Sequence, residues 1–166
     1  MLILQNGRVT FVPMRRFLTC LLLLAPLCAA LASGPVGGRV LKVLPLLLDL
    51  QGRDALSPSL FDRDAYQAQL RERTNDVSGV RFDVLWKASH ARGQTLKLRV
   101  ELRGIGARSL PTWAALEQTV RPGFFRHWAS LTLGGADYKR FGRLIAWRAT
   151  LWEGGKMLGE QQSFLW

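Results

Sequence analysis

The stretch that decides the fold is TLKLRVELR, residues 95–103, in which apolar and polar side chains alternate strictly. One side carries Leu96, Leu98, Val100 and Leu102, and the other carries Lys97, Arg99, Glu101 and Arg103. Successive side chains of a β-strand point to opposite faces of a sheet. The segment therefore predicts a strand with one buried face and one solvated face.

The stretch GVRFDVLWKA, residues 79–88, alternates in the same way. Its apolar side comprises Val80, Phe82, Val84, Trp86 and Ala88. If this strand and 95–103 formed a hairpin, Arg81 would face Glu101 and Asp83 would face Arg99, which are favourable cross-strand pairs. In a two-sheet sandwich the two strands lie in different sheets instead. We favour the sandwich because two sheets closing over a core bury every apolar face.

Near the C-terminus, RLIAWRATLW (143–152) and MLGEQQSFLW (157–166) flank the pair Gly154-Gly155. Two glycines supply the positive dihedrals of a tight turn, so we predict a hairpin. In this register Trp152 faces Met157, Leu151 faces Leu158 and Ile145 faces Phe164. Glu160 would face Ala149 on the apolar side, which requires either a β-bulge or an inward charge that guards an edge strand.

Three further stretches are predicted to be extended, namely 39–50, 113–120 and 127–133. Pro45 makes the first an edge strand, because proline cannot donate to a ladder. Loops are expected at 89–94, 104–111, 121–124 and 134–142.

The segment between the first two strands is the least strand-like part of the chain. Asp62 could cap a helix over 63–73, with Phe61, Ala65, Ala68 and Leu70 toward the core. The alternation of Tyr66, Ala68 and Leu70 also permits a strand, but the residue types favour the helix.

Together these segments predict an all-β fold, a two-sheet sandwich of about seven strands with one short helix inserted between the first and second strands. Two pieces resemble a fibronectin type III or related immunoglobulin-like module: the strand that ends in Trp86 with the following LKLRVELRG, and the run SLTLGGADYKRFGRLIAWRATLWEGG. In such modules a tryptophan late in the second strand packs between the sheets. The resemblance gives that position to Trp86 and a sixth-strand aromatic position to Trp147. The insertion at 55–78 and the early position of Tyr138 depart from the family pattern.

The first 32 residues read as a signal peptide. They contain no acidic residue, and Arg15-Arg16 precede an apolar run over 17–27 and the small residues Ala30 and Ala32. We expect cleavage after Ala32, with a true start at Met14 and residues 1–13 as a mis-assigned extension. An uncleaved anchor is the alternative, although the run is shorter than the ~20 residues that span a bilayer. The product, 33–166, would be a single domain that is periplasmic or secreted and has no transmembrane anchor.

The predicted mature part contains no cysteine, because Cys20 and Cys28 both lie in the leader. All twelve acidic residues and twenty of the 23 Lys and Arg residues follow Ala32, so this part carries a charge of +8. Such a charge attracts anionic glycans, lipid head groups and other polyanions without selecting among them. We therefore expect an envelope protein or an anionic glycan or lipid head group as partner, and no specific nucleic acid.

The residues that could carry chemistry are few. The histidines are His90 and His127, and neither has a second imidazole or thiol at ligand spacing, so we expect no metal and no cofactor. No Gly-x-Ser-x-Gly elbow or phosphate-binding glycine loop is present. Asp62 and Asp64 fit helix capping better than acid–base catalysis.

A binding surface is the more informative candidate. Trp152 falls on an outward strand face beside Arg148, where an indole could stack on a sugar ring, a nucleobase or a partner's side chain. The alternative is that Trp152 packs against Met157 or under the segment 55–78, since single exposed aromatic residues are ordinary. The residues Lys87, Lys97, Arg99 and Arg103 would form a basic outer face. The leading expectation is a non-catalytic exported binding, accessory or structural domain. The alternatives are a polyanion- or carbohydrate-binding module that uses these residues, and a hydrolytic enzyme, which would need a histidine and an aspartate to converge.

Overall fold

A computed structural model describes residues 37–89 and 95–166 of the chain; the predicted leader and His90 lie outside these ranges. The strands are β1 Gly37–Asp49, β2 Val77–Ser89, β3 Leu96–Ile105, β4 Pro111–Val120, β5 His127–Gly134, β6 Arg143–Glu153 and β7 Lys156–Gln162. Helix α1 spans Leu60–Glu72, helix α2 spans Gly135–Phe141, and short 3-10 turns lie at Thr74–Asp76 and Ala107–Ser109. The fold is therefore mostly β, as predicted.

The strands form two antiparallel sheets, with the orders β1-β2-β5 and β4-β3-β6-β7. β2 and β3 lie in different sheets, which confirms the sandwich over the hairpin. The two ion pairs that a hairpin would have formed between these strands do not occur, and each strand contains an ion pair of its own. Arg81 contacts Asp83 at 3.0 Å, and Arg99 contacts Glu101 at 3.1 Å.

The core lies between the sheets and follows the predicted alternation. The inward side chains of β2 and β3 are almost completely buried, including Phe82, Val84, Leu98 and Leu102 at 0% exposure. Trp86 is buried as well, whereas Trp147 is half-buried and packs edge-on against Phe82, with ring centroids 6.5 Å apart. Burial of each such side chain contributes about 1.5–3 kcal/mol, so these two strands supply much of the stability.

One side of the sandwich closes by direct contact between β1 and β7. A Cβ on Gly159 would lie 2.9 Å from the Cα of Arg39, so only glycine allows the two backbones to approach this closely. The opposite side, between β4 and β5, is less tightly closed, and a cleft lies there.

The β6–β7 hairpin forms around Gly154-Gly155, and Trp152 pairs with Met157 as predicted. Beyond that pair the register shifts by one residue, so Leu151 faces Gly159 and Glu160 faces Thr150. The predicted pairs Leu151–Leu158 and Ile145–Phe164 are wrong, and the bulge is the alternative that occurs. It keeps the Glu160 carboxylate out of the core. β7 ends at Gln162, and Phe164 is fully exposed.

The inserted segment is a helix, but its cap and its buried face differ from the prediction. The N-cap is Ser59, whose side chain accepts from the backbone N–H of Asp62, so Asp62 lies inside the helix. Phe61, Ala65 and Ala68 are exposed. Only Gln67 and Leu70 are buried, because α1 lies against β1 and does not enter the space between the sheets.

Gln67 shows why a polar residue occupies the buried face of α1. Its Oε1 accepts from the N–H of Leu47 at 2.8 Å, and its Nε2 donates to the carbonyl of Leu47 at 2.9 Å. β1 is an edge strand, as Pro45 predicted, and its outer backbone groups have no neighbouring strand. The Gln67 amide takes the place of that strand at one residue and shields the edge.

Asp49 ends β1 and organises the turn that follows. Its carboxylate accepts from the N–H groups of Gln51 and Arg53, from Nε of Arg53 and from the hydroxyl of Tyr66, each at 2.8 Å. Burial alone would raise the pKa of Asp49, but these four hydrogen bonds outweigh it and lower the pKa to about 2. The hydrogen bond to Asp49 and burial also raise the pKa of Tyr66.

The segment 134–142, which was predicted to be a loop, contains helix α2, so that prediction is wrong. Phe141 at the end of α2 is buried against Gly104, where a Cβ would lie 2.6 Å from the ring. Gly142 then ends the helix with a φ of 81°. A seven-residue helix that begins at one glycine and is followed by another has the local composition of a turn, and the burial of Phe141 stabilises it.

A pair of phenylalanines tests the core. Phe82→Ala should lower the free energy of unfolding by about 3–5 kcal/mol, because the ring is fully buried. Phe61→Ala removes the same atoms from a side chain that is 82% exposed, and should change it by less than about 0.5 kcal/mol. Urea titration measures both. Similar losses in the two variants would contradict the assignment of the core.

The low pKa of Asp49 predicts that the free energy of unfolding falls at acid pH. Its pKa falls from 3.8 to about 2 on folding, so the contribution is present above pH 3.8 and is lost as the pH falls toward 2. Asp49→Asn should destabilise the protein by about 1–3 kcal/mol at pH 7 and flatten this acid dependence. Asp64→Asn, at an exposed carboxylate, is the matched control. An unchanged acid profile for Asp49→Asn would show that other groups set it.

Candidate functional site

The outward side of β4, β3 and β6 brings most of the candidate binding residues together. We call this surface the Trp–Arg face; it comprises Lys97, Arg99, Glu101, Arg103, Trp113, Glu117, Arg148, Trp152 and Trp166. Strand pairing sets Arg103 opposite Trp113, Glu101 opposite Arg148 and Lys97 opposite Trp152. The face follows from alternation, because the inward neighbours of these residues fill the core.

One candidate does not belong to this surface. Lys87 lies on β2, in the other sheet, opposite Arg39 of β1. The expectation that Lys87 shares a basic face with Lys97, Arg99 and Arg103 is therefore wrong, because consecutive strands β2 and β3 separate into different sheets. Arg148 and Trp152 take its place beside the other three.

Two glutamates offset half of the positive charge on the face, which carries four Lys and Arg residues. Glu101 Oε2 accepts from Nε and Nη2 of Arg148 at 2.9 and 2.6 Å, and Glu101 also pairs with Arg99. Glu117 pairs with Lys97 at 3.1 Å. The role of Glu117 depends on the β3–β4 register, which places it opposite Arg99 and which residue types alone do not give. The face is less cationic than its arginines and lysine suggest.

Trp152 points outward, as predicted, but its indole is only partly exposed. Its Nε1 donates to Oγ1 of Thr150 at 2.8 Å, two residues earlier on the same strand. Thr150 is 2% exposed although it belongs to the outward side. The indole N–H of Trp152 is therefore already hydrogen-bonded within its own strand.

Trp166 reaches the Trp–Arg face from the segment after β7. Ser163 holds this segment to β6: its N–H donates to the carbonyl of Trp147 at 2.9 Å, and its Oγ accepts from the N–H of Trp147 at 3.0 Å. The indole of Trp166 then lies 4.1 Å from Cζ of Arg103 and 5.0 Å from Cζ of Arg148. Both are cation–π distances, so one ring positions two guanidinium groups.

Trp113 is the open aromatic group of the face. Its side chain is 62% exposed on edge strand β4, directly opposite Arg103. Arg103 is also exposed, and within 37–89 and 95–166 it makes no hydrogen bond or ion pair. The β3–β4 register determines that Trp113 points outward.

A cleft of about 450 Å³ runs along β4 between the two sheets. Its walls are Thr112, Trp113, Ala114, Ala115, Leu116, Leu133, Asp137, Arg140 and Phe141. Arg140 and Asp137 form an ion pair with each other on α2. Trp113 therefore stands where this cleft meets the Trp–Arg face.

The residues considered for catalysis lie apart. His127 stacks on Trp86 with ring centroids 5.4 Å apart, and Asp62 accepts from Oγ of Ser57 at 2.6 Å near the start of α1. Asp64 lies 3.6 Å from the Arg63 guanidinium. In the described part of the chain, no group of three or more His, Cys, Asp or Glu residues is arranged to hold a metal ion. The same residues include no helix with the length and apolar character needed to cross a bilayer.

Comparison with solved structures finds a likeness at low sequence identity. No protein-family model matches the chain, and no curated protein does. A crystal structure of a protein from Akkermansia muciniphila superposes with a TM-score of 0.49 at 13% sequence identity, over 79% of this chain and 73% of that chain.

The ion pairs of the face predict a measurable loss of stability. Glu101→Ala should lower the free energy of unfolding by about 1–3 kcal/mol, because Arg99 and Arg148 lose a shared acceptor whose side chain is only 13% exposed. Glu160→Ala, at an exposed carboxylate on β7, should change it by less than about 0.5 kcal/mol. Equal effects in thermal unfolding would mean that the Glu101 pairs contribute nothing.

Proposed function

We propose that the chain is an exported, non-catalytic carbohydrate-binding module of the fibronectin type III or related immunoglobulin-like class, and that the Trp–Arg face is its binding surface. In an immunoglobulin-like sandwich the first, second and fifth strands share one sheet, and the third, sixth and seventh share the other. The present strand order agrees with this, and β4 joins the second sheet beside β3. The charged start, apolar run and small residues of the leader support export.

The observation that carries the proposal is the exposed indole of Trp113 on an open sheet face, next to a stacked array of Trp166 and two arginines. A flat aromatic group fixed on a strand offers an apolar surface to the C–H face of a sugar ring at little cost in conformational entropy. The surrounding N–H donors can bind hydroxyl groups. Helix α1 lies against β1 of the other sheet, which makes the opposite side of the molecule less open.

Attraction of polyanions by charge alone is the weaker alternative. Lys97, Arg99 and Arg148 each pair with a glutamate, and this reduces their long-range field. A hydrolytic function is weaker still, because His127, Asp62 and Asp64 have separate local partners. The geometry therefore favours recognition by contact over recognition by net charge.

Affinity electrophoresis of the purified protein through gels that contain neutral or acidic polysaccharides tests the proposal. Trp113→Ala should weaken binding by roughly tenfold, the effect of losing about 1–2 kcal/mol of aromatic contact. Trp128→Ala is the matched control, since Trp128 is 54% exposed on the outer side of the other sheet. Retardation should persist at high salt if contact dominates. No retardation by any polysaccharide, or equal losses in both variants, would overturn the proposal.

A further inference from the structure

We infer that Arg103 and Trp113 form a subsite for a sugar that carries a carboxylate, so that the glycan bound on the Trp–Arg face contains hexuronate residues. This inference rests on the proposed function and adds the chemical class of the ligand. It depends on two properties of Arg103. The indole of Trp166 positions its guanidinium, and no acceptor among the described residues binds its N–H groups.

Arg103 is positioned by Trp166. Its Cζ lies 4.1 Å from the centroid of the indole, the separation of a guanidinium stacked on an aromatic ring. A guanidinium that lies on an indole through its flat side keeps the N–H groups of its edge available. Those of Arg103 make no hydrogen bond within the described residues. A guanidinium edge matches a carboxylate, which it binds through two parallel N–H···O hydrogen bonds.

Arg148 provides the internal comparison. It stacks on the same indole at 5.0 Å, but its Nε and Nη2 both donate to Oε2 of Glu101. Glu101 thus binds the N–H groups of Arg148, whereas the corresponding N–H groups of Arg103 have no acceptor among the described residues. The protein already contains one carboxylate bound to an arginine of this array, and Arg103 can bind a second one from outside.

Trp113 determines what carries that carboxylate. Residues directly opposite on antiparallel strands have Cβ atoms about 4.5–5.5 Å apart, which is close to the width of one sugar ring. A pyranose lying on the Trp113 indole would therefore place a carboxylate attached to its ring within reach of Arg103. A neutral sugar would leave Arg103 unused, and a free anion would leave Trp113 unused.

The charges of the face favour a single carboxylate over a densely charged ligand. Lys97 and Arg99 are paired with glutamates, so Arg103 is the cation of the Trp–Arg face with no acidic partner among the described residues. An anionic membrane needs several basic residues near its surface, each contributing about 1 kcal/mol. One uncommitted guanidinium beside one exposed indole fits one uronate residue.

The experiment compares oligogalacturonate with its methyl ester, which has the same ring and no negative charge, by isothermal titration calorimetry on the full protein. The wild type should bind the acid more tightly than the ester. Arg103→Gln should weaken binding of the acid roughly 10- to 100-fold, as expected for a charged hydrogen-bonded pair, and leave ester binding unchanged. Arg103→Lys, which keeps the charge but loses the two parallel donors, should give an intermediate affinity.

Lys87→Gln is the matched control, because it removes one exposed positive charge from the other sheet. Equal losses for Arg103→Gln and Lys87→Gln would overturn the carboxylate subsite, and the proposed function would stand if Trp113→Ala still weakened binding of neutral glycans. Binding to no glycan would overturn both. Arg103-dependent binding to vesicles of phosphatidylglycerol, with none to oligogalacturonate, would assign the site to a lipid head group and overturn the inference. Thermal unfolding of each variant confirms that it is folded.

Discussion

The structure depends on the burial of the inward sides of β2 and β3 against each other across the gap between the sheets. Phe82 and Trp86 on one strand and Leu98 and Leu102 on the other are almost completely removed from water. Backbone hydrogen bonds then join β1 and β5 to the two edges of β2, and β4 and β6 to the two edges of β3. Since the described residues contain no cysteine, this apolar contact brings the two sheets together without a covalent link.

The same alternation that builds the core determines the outer face. Every inward leucine or valine of β3 forces a lysine, arginine or glutamate outward, and pairing with β4 and β6 brings Trp113, Arg148 and Trp152 beside them. The core and the proposed binding face are thus coupled through strand parity. A shift of β4 by one residue would turn Trp113 toward the cleft and uncover Thr112 in its place.

Sequence reasoning was sufficient where local periodicity decides the outcome. The alternation in 79–88 and 95–103 gave the buried faces of β2 and β3, and Gly154-Gly155 gave the hairpin. It failed where partners distant in the chain decide. The buried face of α1 depends on a hydrogen bond between Gln67 and Leu47, and an apolar moment could not reveal it. The pairing of Glu117 depends on which strands are neighbours, which a single strand does not encode. The separation of Lys87 follows from the two-sheet arrangement that the sequence favoured, and the prediction of one basic face was inconsistent with that arrangement.

The amide of Gln67 hydrogen-bonds the backbone of edge strand β1 as a neighbouring strand would. The exposure of this edge therefore depends on helix α1. Three hydrogen bonds from one side chain, two to Leu47 and one to the carbonyl of Asp54, connect the helix, the edge strand and the loop between them. If α1 detached, these bonds would break together and leave an apolar, leucine-rich strand able to pair with another molecule. The inserted helix therefore covers an edge that could otherwise pair with a strand of another molecule, and an apolar side chain at position 67 could not make these hydrogen bonds.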